Sequence, residues 1–590
     1  MSIGDLLRRK REQQAHAEPP DNSAAAAEAE ELARRGGLLR QQARYEDAAR
    51  HLMRAIELKH DLASAHFNLG LTYLDQGHAE DAVDCLQLAV HFDPRMVDAH
   101  VALGGALARL GRLDPAQDAL RHALELDPGS GSAWFALGGV DKERGNLDAA
   151  IECYRKAAAR DPASAEVQCQ LGYALLKAGH YAESRAGFDA ALALRPEFME
   201  AHHNLGLLLL ETGHPEDALR EFERALALRP GFAETRTCVA HALRDLGRVD
   251  EAILHYDAVL AAQPRFADAV INRAYALLMR EDYAAGWAEY ERRFDFGTLE
   301  PRGFPFTPWR GESLAGKRVL AYAEQGLGDE IMFASCVPDL LKAAAHCVIE
   351  CDSRLQALFA RSFPQAHVHG GVKSDAQDWA KELPPIDVQV ALGSLPHHFR
   401  RARADFPTRP SYLKPDPRRV EFWRREIRAE GRGPRVGIAW RGGSLRTRLV
   451  LRSTQLSQWL PLLRAPGAKF YSLQYGDVAT EVAGLRDRHG VTIAQTHIDA
   501  NDLDELAALV CGLDLVISVD NTVAHLAGAL GQHTWVMLPF SPEWRYPRTG
   551  DAMPWYPSAR LFRQQQPRQW EPVIGEVSAA LRNFTGAPDV

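Results

Sequence analysis

The sequence predicts an α-solenoid followed by an α/β domain made of two similar halves. Three observations carry that reading. A 34-residue period runs through the first half of the chain. Strand–loop–helix starts appear at Lys317–Ala323 and again at Arg435–Trp440. Finally, Asp514–Leu538, DLVISVDNTVAHLAGALGQHTWVML, reads as strand, capped helix and strand. With 590 residues the chain is too long for one core. Hydrophobic residues at 46% and charged residues at 25% are ordinary for a soluble globular protein. A net charge of −9 over this length gives no argument for nucleic acid or an anionic membrane surface. No apolar run reaches the length of a membrane span, and no apolar segment follows Arg8, Arg9, Lys10 and Arg11 to make a secretory signal. The eight cysteines lack paired spacing, so reduced thiols in a cytoplasmic protein are expected.

Residues 1–28 are charged, then alanine-rich, and are expected to form a flexible tail. The repeat array is read as 29–300. Leu69-Gly70, Leu103-Gly104, Leu137-Gly138, Leu171-Gly172 and Leu205-Gly206 keep the 34-residue step. So do the turn glycines Gly77 to Gly247, the prolines Pro94 to Pro264, and small residues at Ala82, Ala116, Ala150, Ser184, Ala218 and Ala252. This pattern resembles the tetratricopeptide repeat, matched best by Trp134 to Pro162. The resemblance implies a stacked superhelix with a concave groove. One position on the first helix of each pair holds Asn68, Gln170, Asn204 and Asn272, with Ala102, Ala136 and Cys238 between. Carboxamides donate and accept, so a ladder of them could pair with an extended peptide; the plainer reading is solvated polar residues. A partly amide-lined groove also resembles that of the animal O-GlcNAc transferases.

Residues 301–317 (beginning PRGFPFTPWRG) are expected to be a packed connector, and a fragment from about 301 onward is expected to fold alone. The first α/β half is read as 318–415. Its opening strand runs into Glu324-Gln325-Gly326-Leu327-Gly328-Asp329-Glu330, with a helix expected from Ile331 to Ala345. A dinucleotide fingerprint would need glycine where Ile331 stands, and no Walker lysine follows. The second half is read as 416–590, starting RVGIAW, followed by Arg441, Arg446, Arg448 and Arg452, and ending in a crossing C-terminal helix over Gln569–Phe584. Asp502 and Asp504 have the look of a metal-binding DxD but stand where a helix cap belongs, and no metal site is expected. In Asp514–Leu538 a helix N-terminus opens at the carboxyl end of a strand, where phosphate is favoured.

Together, AEQGLGDEIMFASCVPDL, DVQVALGSLP, VGIAWRGG, FYSLQ, DLVISVDNTVAHLAGALG and PWYPSARLFRQ resemble the GT-B glycosyltransferases, which have two Rossmann-like halves. The similarity is to the ADP-heptose:lipopolysaccharide heptosyltransferase family, and more specifically to bacterial proteins that fuse tetratricopeptide repeats to such a domain, some of them flagellin glycosyltransferases. The resemblance implies an inverting, metal-independent transfer from a nucleotide sugar, without a cofactor, to Ser or Thr of a protein held by the repeats. Asp329 would be the general base, with Glu324 its rival. Gly326, Gly328, Arg441, Arg446, Arg452, Asp520, Asn521, Thr522 and His525 would hold the donor. That family carries Asp-Thr/Ser-Gly where this chain has Asp520-Asn521-Thr522, and a lysine where this chain has arginines. Surface polysaccharide assembly and a non-catalytic repeat scaffold are the alternatives.

Overall fold

The computed structural model describes residues 23–296, 302–371, 377–429, 433–442, 449–496, 498–499 and 501–584. It divides into two compact units, Met1–Leu208 and Leu209–Val590. The first unit is a run of antiparallel helix pairs, from Ser23–Gln41 and Tyr45–Leu58 through Ala165–Lys177 and Tyr181–Leu194. Its first helix begins inside the stretch expected to be a tail. Good helix formers continue from Ser23, and Ala29 and Ala33 are buried against the next helix.

The period follows from packing. A Cβ on Gly70, Gly104, Gly138 or Gly172 would lie 2.5–2.8 Å from a side-chain atom of Leu86, Leu120, Tyr154 or Phe188, respectively. Each glycine therefore lets one bulky residue of the second helix lie against the first. Gly77, Gly111, Gly145 and Gly179 end the first helices at φ of +71° to +82°, where only glycine is unstrained. Ala82, Ala116 and Ala150 are wholly buried, and Ser184 fills the same place by donating its hydroxyl to Gly172 O at 2.8 Å. A further rule was not legible beforehand. His66, His100, Trp134 and His202 each bond the carbonyl six residues back, on His60, Pro94, Pro128 and Pro196, at 2.8–3.0 Å. Each bond stitches the turn between repeats to the helix that follows.

The second unit opens with more such helices: Pro215–Leu228, Ala233–Asp245, Val249–Ala262, Ala267–Met279 and Tyr283–Tyr290. Two parallel sheets follow. β1 (Thr307–Pro308), β2 (Arg318–Tyr322), β3 (His346–Asp352), β4 (Ala366–Gly371) and β5 (Val388–Ala391) lie in the order β1-β5-β2-β3-β4. β1 comes from the expected connector, whose Thr307 and Pro308 pair with Val388 and Gln389. The expected helix over 331–345 is broken. It runs Leu327–Phe333, passes through a tight turn at Ala334–Cys336 and restarts at Val337–Ala343. Pro338 explains the break, since it cannot continue a helix but suits a first turn.

The second sheet holds β6 (Arg435–Ala439), β7 (Lys469–Ser472), β8 (Ile493–Gln495), β9 (Leu515–Val519), β10 (Thr534–Leu538) and β11 (Ala559–Arg563), in the order β11-β10-β9-β6-β7-β8. That order is doubly wound, reversing between β6 and β9. The last helix, Trp570–Arg582, does not cross to the other half. It buries Val573, Ile574, Val577 and Leu581 in the core under its own sheet, with Val436, Ile517 and Phe562. Arg361 ties the two halves by donating to both oxygens of Asp504 at 2.7 and 2.8 Å, while Asp502 caps the helix Leu503–Gly512.

The boundary expected near 300 lies inside the second unit. Trp287 Nε1 donates to Arg400 O at 3.0 Å, and Tyr275 stacks on Trp544 at 5.6 Å. The last repeats therefore share a core with the α/β halves.

Adjacent glycines test the packing rule. Gly104→Ala places a methyl against the fully buried Leu120 and is expected to cost about 1–3 kcal/mol. Gly105→Ala, with nothing within 4 Å, is expected to stabilise by roughly 0.5–1 kcal/mol through helix propensity. Denaturant midpoints that move together for the two variants would contradict the rule.

Candidate functional site

In parallel α/β sheets ligands sit outside the carboxyl ends of the strands, where the strand order reverses. In the first half that point lies between β2 and β5. It is already occupied. Arg293, from the turn after the last repeat helix, donates to Glu324 at 3.0 Å and to Ser394 Oγ at 2.8 Å, and both charged side chains are 2% exposed. Glu324 also faces the backbone N–H of Gly393 at 3.4 Å, and Gln325 bonds the Tyr290 hydroxyl. Glu324, the rival base, is thus half of a buried ion pair joining the repeats to the first sheet. A carboxylate held in that way has no face left for a substrate.

Asp329 sits differently. Gly326 caps the short helix Leu327–Phe333, and a Cβ on Gly328 would lie 3.3 Å from His525 Cδ2 and 3.6 Å from Thr522 Oγ1. Glycine there lets this helix start meet that of the helix Thr522–Ala529. Asp329 stands at the meeting point, its side chain 15% exposed. Arg545 donates to its Oδ1 from Nε at 2.7 Å, and its Nη2 lies 2.6 Å from the same oxygen in an ion pair. From there charges alternate. Arg545 lies 3.6 Å from Glu543, Glu543 lies 3.6 Å from Arg452, and Arg452 lies 3.0 Å from Asp520. Arg452 also donates to Asp520 O at 2.9 Å. Asp520 is 1% exposed. Tyr275 of the repeat helix Ala267–Met279 lies within electrostatic reach of Arg545, Asp329 and Glu543. Arg545 and Glu543 escaped the sequence reading; their only local signal was the aromatic SPEWRY stretch just past the end of β10.

The donor residues expected on the second half do not all converge. Asn521 caps Thr522–Ala529 with its own side chain, Oδ1 accepting from Val523 N at 2.9 Å, Ala524 N at 3.2 Å and Ser518 Oγ at 2.9 Å. Its amide also donates to Arg441 O at 3.1 Å. The N–H groups of Val523 and Ala524 are therefore used within the helix start itself. Thr522 is half-buried against Gly328. The Arg441 side chain turns to Glu481 at 3.1 Å, away from the ladder. Arg446 and Arg448 lie outside the described residues. His525 is buried and shares a hydrogen bond with the Tyr556 hydroxyl through Nδ1 at 2.9 Å, so it braces the junction and is not exposed to a phosphate.

Beside the ladder a cleft of about 420 Å³ opens over the carboxyl ends of β10 and β11 and the loop after β6. Leu451 and Ser453, the neighbours of Arg452, line it, as do Pro539, Phe540 and Ser541. Along the repeats, Asn68 donates to its own helix at Ser64 O (2.8 Å), Gln170 accepts from Lys142 at 3.5 Å, and Asn204 reaches Cys169 Sγ at 3.5 Å. Asn272 is held by Arg244 at 2.8 Å and by Asp268 at 2.6 and 2.9 Å, and is not a free rung.

Two outcomes follow. Glu324→Gln leaves Arg293 without its buried counter-charge and is expected to lose about 3 kcal/mol of stability, read as a fall in the denaturant midpoint. An unchanged midpoint would free Glu324 for chemistry. For His525, burial first and Arg545 second push the pKa from 6.5 down to about 3. The unfolded chain then takes up a proton below pH 6.5 that the folded one refuses. Stability is thus full above that pH and declines as pH falls, by about 2 kcal/mol at pH 5. His525→Gln should flatten that part of the profile in unfolding curves at pH 8 and pH 5.

Comparison with known proteins bears on the repeats. The tetratricopeptide repeat family matches residues 67–130, 169–231 and 240–295, and a second model described as TPR repeat matches 36–77 and 139–179. Protein FlbA of Caulobacter vibrioides (strain ATCC 19089 / CIP 103742 / CB 15) is 36% identical over 329 residues, 53% of this chain and 55% of that one. The chain thus spans about half the length of the curated relative it matches. Among solved structures, the Cut9–Hcn1 hetero-tetramer of the APC/C is 18% identical over 50% of this chain and 57% of that one, with a TM-score of 0.39. PilF of Pseudomonas aeruginosa is 19% identical over 36% and 97%, with a TM-score of 0.33. Those two likenesses are too slight to bear on chemistry. Tetratricopeptide repeats thus match stretches between residues 36 and 295, and two parallel α/β sheets follow them in the second unit.

Proposed function

We propose that this protein is an inverting glycosyltransferase with a GT-B-like domain that moves a sugar from a nucleotide-sugar donor to a Ser or Thr hydroxyl of a protein held by the repeats. The observation that carries it is Asp329: a carboxylate just past the carboxyl end of β2, at the junction of the two halves, held by Arg545, which Glu543 links to Arg452. In the reaction the acceptor oxygen bonds to the anomeric carbon as the bond from that carbon to the phosphate oxygen breaks. The hydroxyl proton passes to Asp329 Oδ2, the oxygen Arg545 leaves unbound. The charge released on the nucleotide falls to Arg452 and Arg545, fixed donors in a partly buried site. A diphosphate arriving at Arg545 competes with Asp329 for it, so donor binding also loosens the base.

Binding and transfer test this. Nucleotide diphosphates should raise the melting temperature of the full chain, and a nucleotide sugar with the acceptor protein, flagellin first, should give a glycosylated product. Asp329→Asn should lower turnover about 10²–10⁴-fold without weakening donor affinity, which should rise if it changes, since Arg545 is freed from a competing carboxylate. Normal turnover in that variant would remove the base, and no thermal response to any nucleotide would remove the donor.

A further inference from the structure

The cleft beside the ladder has one wall that does not belong to the α/β halves. Gly213, Pro215 and Asp245, from the turn and helix ends of the repeats, face Phe540, Gln564 and Trp570 across it. We propose that this cleft takes the nucleoside of the donor, and that the repeat array therefore helps to read the donor as well as the acceptor. The proposal rests on the glycosyltransferase reading and deepens it.

The lining is suited to a neutral ring with hydrogen-bonding edges. Among the described residues it offers aromatic and proline surface beside amides and hydroxyls, and no lysine. Its arginine, Arg568, is already bonded through Nη1 to His214 Nε2 at 2.6 Å. Phosphate would find little charge here, whereas a base and ribose would find stacking and polar partners.

Gln564 points to a ligand independently. It is 5% exposed, and its Oε1 accepts from Phe540 N at 3.1 Å and from Arg568 N at 3.2 Å. Those two backbone donors fix which end of the amide is oxygen. Nε2 is left over, buried and without a hydrogen-bond partner among the described residues. Buried donors are rarely left so, and a base carbonyl or ribose oxygen in the cleft would satisfy it. Asp245, 6% exposed on the opposite wall, is an acceptor only and suits a ribose hydroxyl or a base N–H.

The position agrees with the chemistry. Leu451 and Ser453 line the cleft and flank Arg452, so a nucleoside there places its phosphates toward Arg452 and Arg545 and its sugar toward Asp329.

The full chain is titrated with UDP, GDP, ADP and CDP, with their nucleosides, and with inorganic pyrophosphate. The preferred nucleoside should compete with its diphosphate, and pyrophosphate alone should bind without discriminating among bases. Gln564→Ala and Asp245→Asn should each raise the dissociation constant of the preferred diphosphate about tenfold to hundredfold, leaving pyrophosphate unaffected. A second measurement needs no variant. Hydrogen exchange of the unmodified protein should slow at 211–216 and 244–247 when the diphosphate binds, and stay unchanged with pyrophosphate. Diphosphate binding with no protection at those repeat segments, or with normal affinity in both folded variants, overturns the proposal and leaves the enzyme reading standing. Failure of all four nucleotides to bind overturns both.

Discussion

The buried pair between Arg293 and Glu324 sets what the rest of the second unit can be. Two charges taken out of water are costly unless their remaining donors and acceptors are met. Here most are met, from both sides: Arg293 also bonds Ser394, Glu291 and the Tyr290 carbonyl through its two terminal nitrogens, and Glu324 faces Gly393 N. Arg293 follows immediately on the last repeat helix, so the pair fixes that helix against the point where the first sheet reverses. The aromatic joint follows from it. Trp544 stacks on Tyr275 and meets Trp287 edge-on at 5.7 Å. Once the crevice of the first half is used for docking the repeats, the second half carries the open cleft.

This division of labour explains why a carboxylate at a strand end was misleading. Glu324 and Asp329 stand five residues apart in one loop and look equally fit for catalysis in sequence. What separates them is the cation each meets, from opposite ends of the second unit. Glu324 meets Arg293, 31 residues earlier and 2% exposed, and is sealed. Asp329 meets Arg545, 216 residues later, and keeps an oxygen toward the junction.

Much of the fold was legible because local rules dominate it. The 34-residue step is enforced by glycines that would clash with a fixed partner, and strands Leu515–Val519 and Thr534–Leu538 lie where their apolar runs end. The misses have equally local or plainly distant causes. Pro338 split an expected helix, and β1 is two residues long, too short for any periodicity. The last helix shows an apolar face in sequence, but only the buried contacts of Val573 and Ile574 reveal which sheet it covers. Of the candidate site, the place of Asp329 just past a strand was legible. Arg545 and Glu543 were not, since their loop has no period and their partners lie far off in the chain.

The anion-binding logic of a helix start also needs correcting here. Free N–H groups and the dipole make such a start attractive to phosphate. At Thr522–Ala529 the side chain of Asn521 has taken two of those groups, those of Val523 and Ala524, and a buried carboxylate, Asp520, stands just before it. A second anion at that spot would face repulsion in a poorly solvated place. The attraction in this unit resides instead in Arg452 and Arg545, and both are already counter-charged, by Asp520, Glu543 and Asp329. Three carboxylates against two guanidiniums leave the ladder negative by one. In the glycosyltransferase reading an incoming diphosphate must therefore displace a carboxylate and not merely add to a cationic patch. Asp520 is sealed, so the carboxylates such a group could displace are Asp329 and Glu543, which share Arg545. In that reading donor phosphate and base are coupled through one guanidinium, because the Arg545 that would meet the phosphate is the one that holds Asp329.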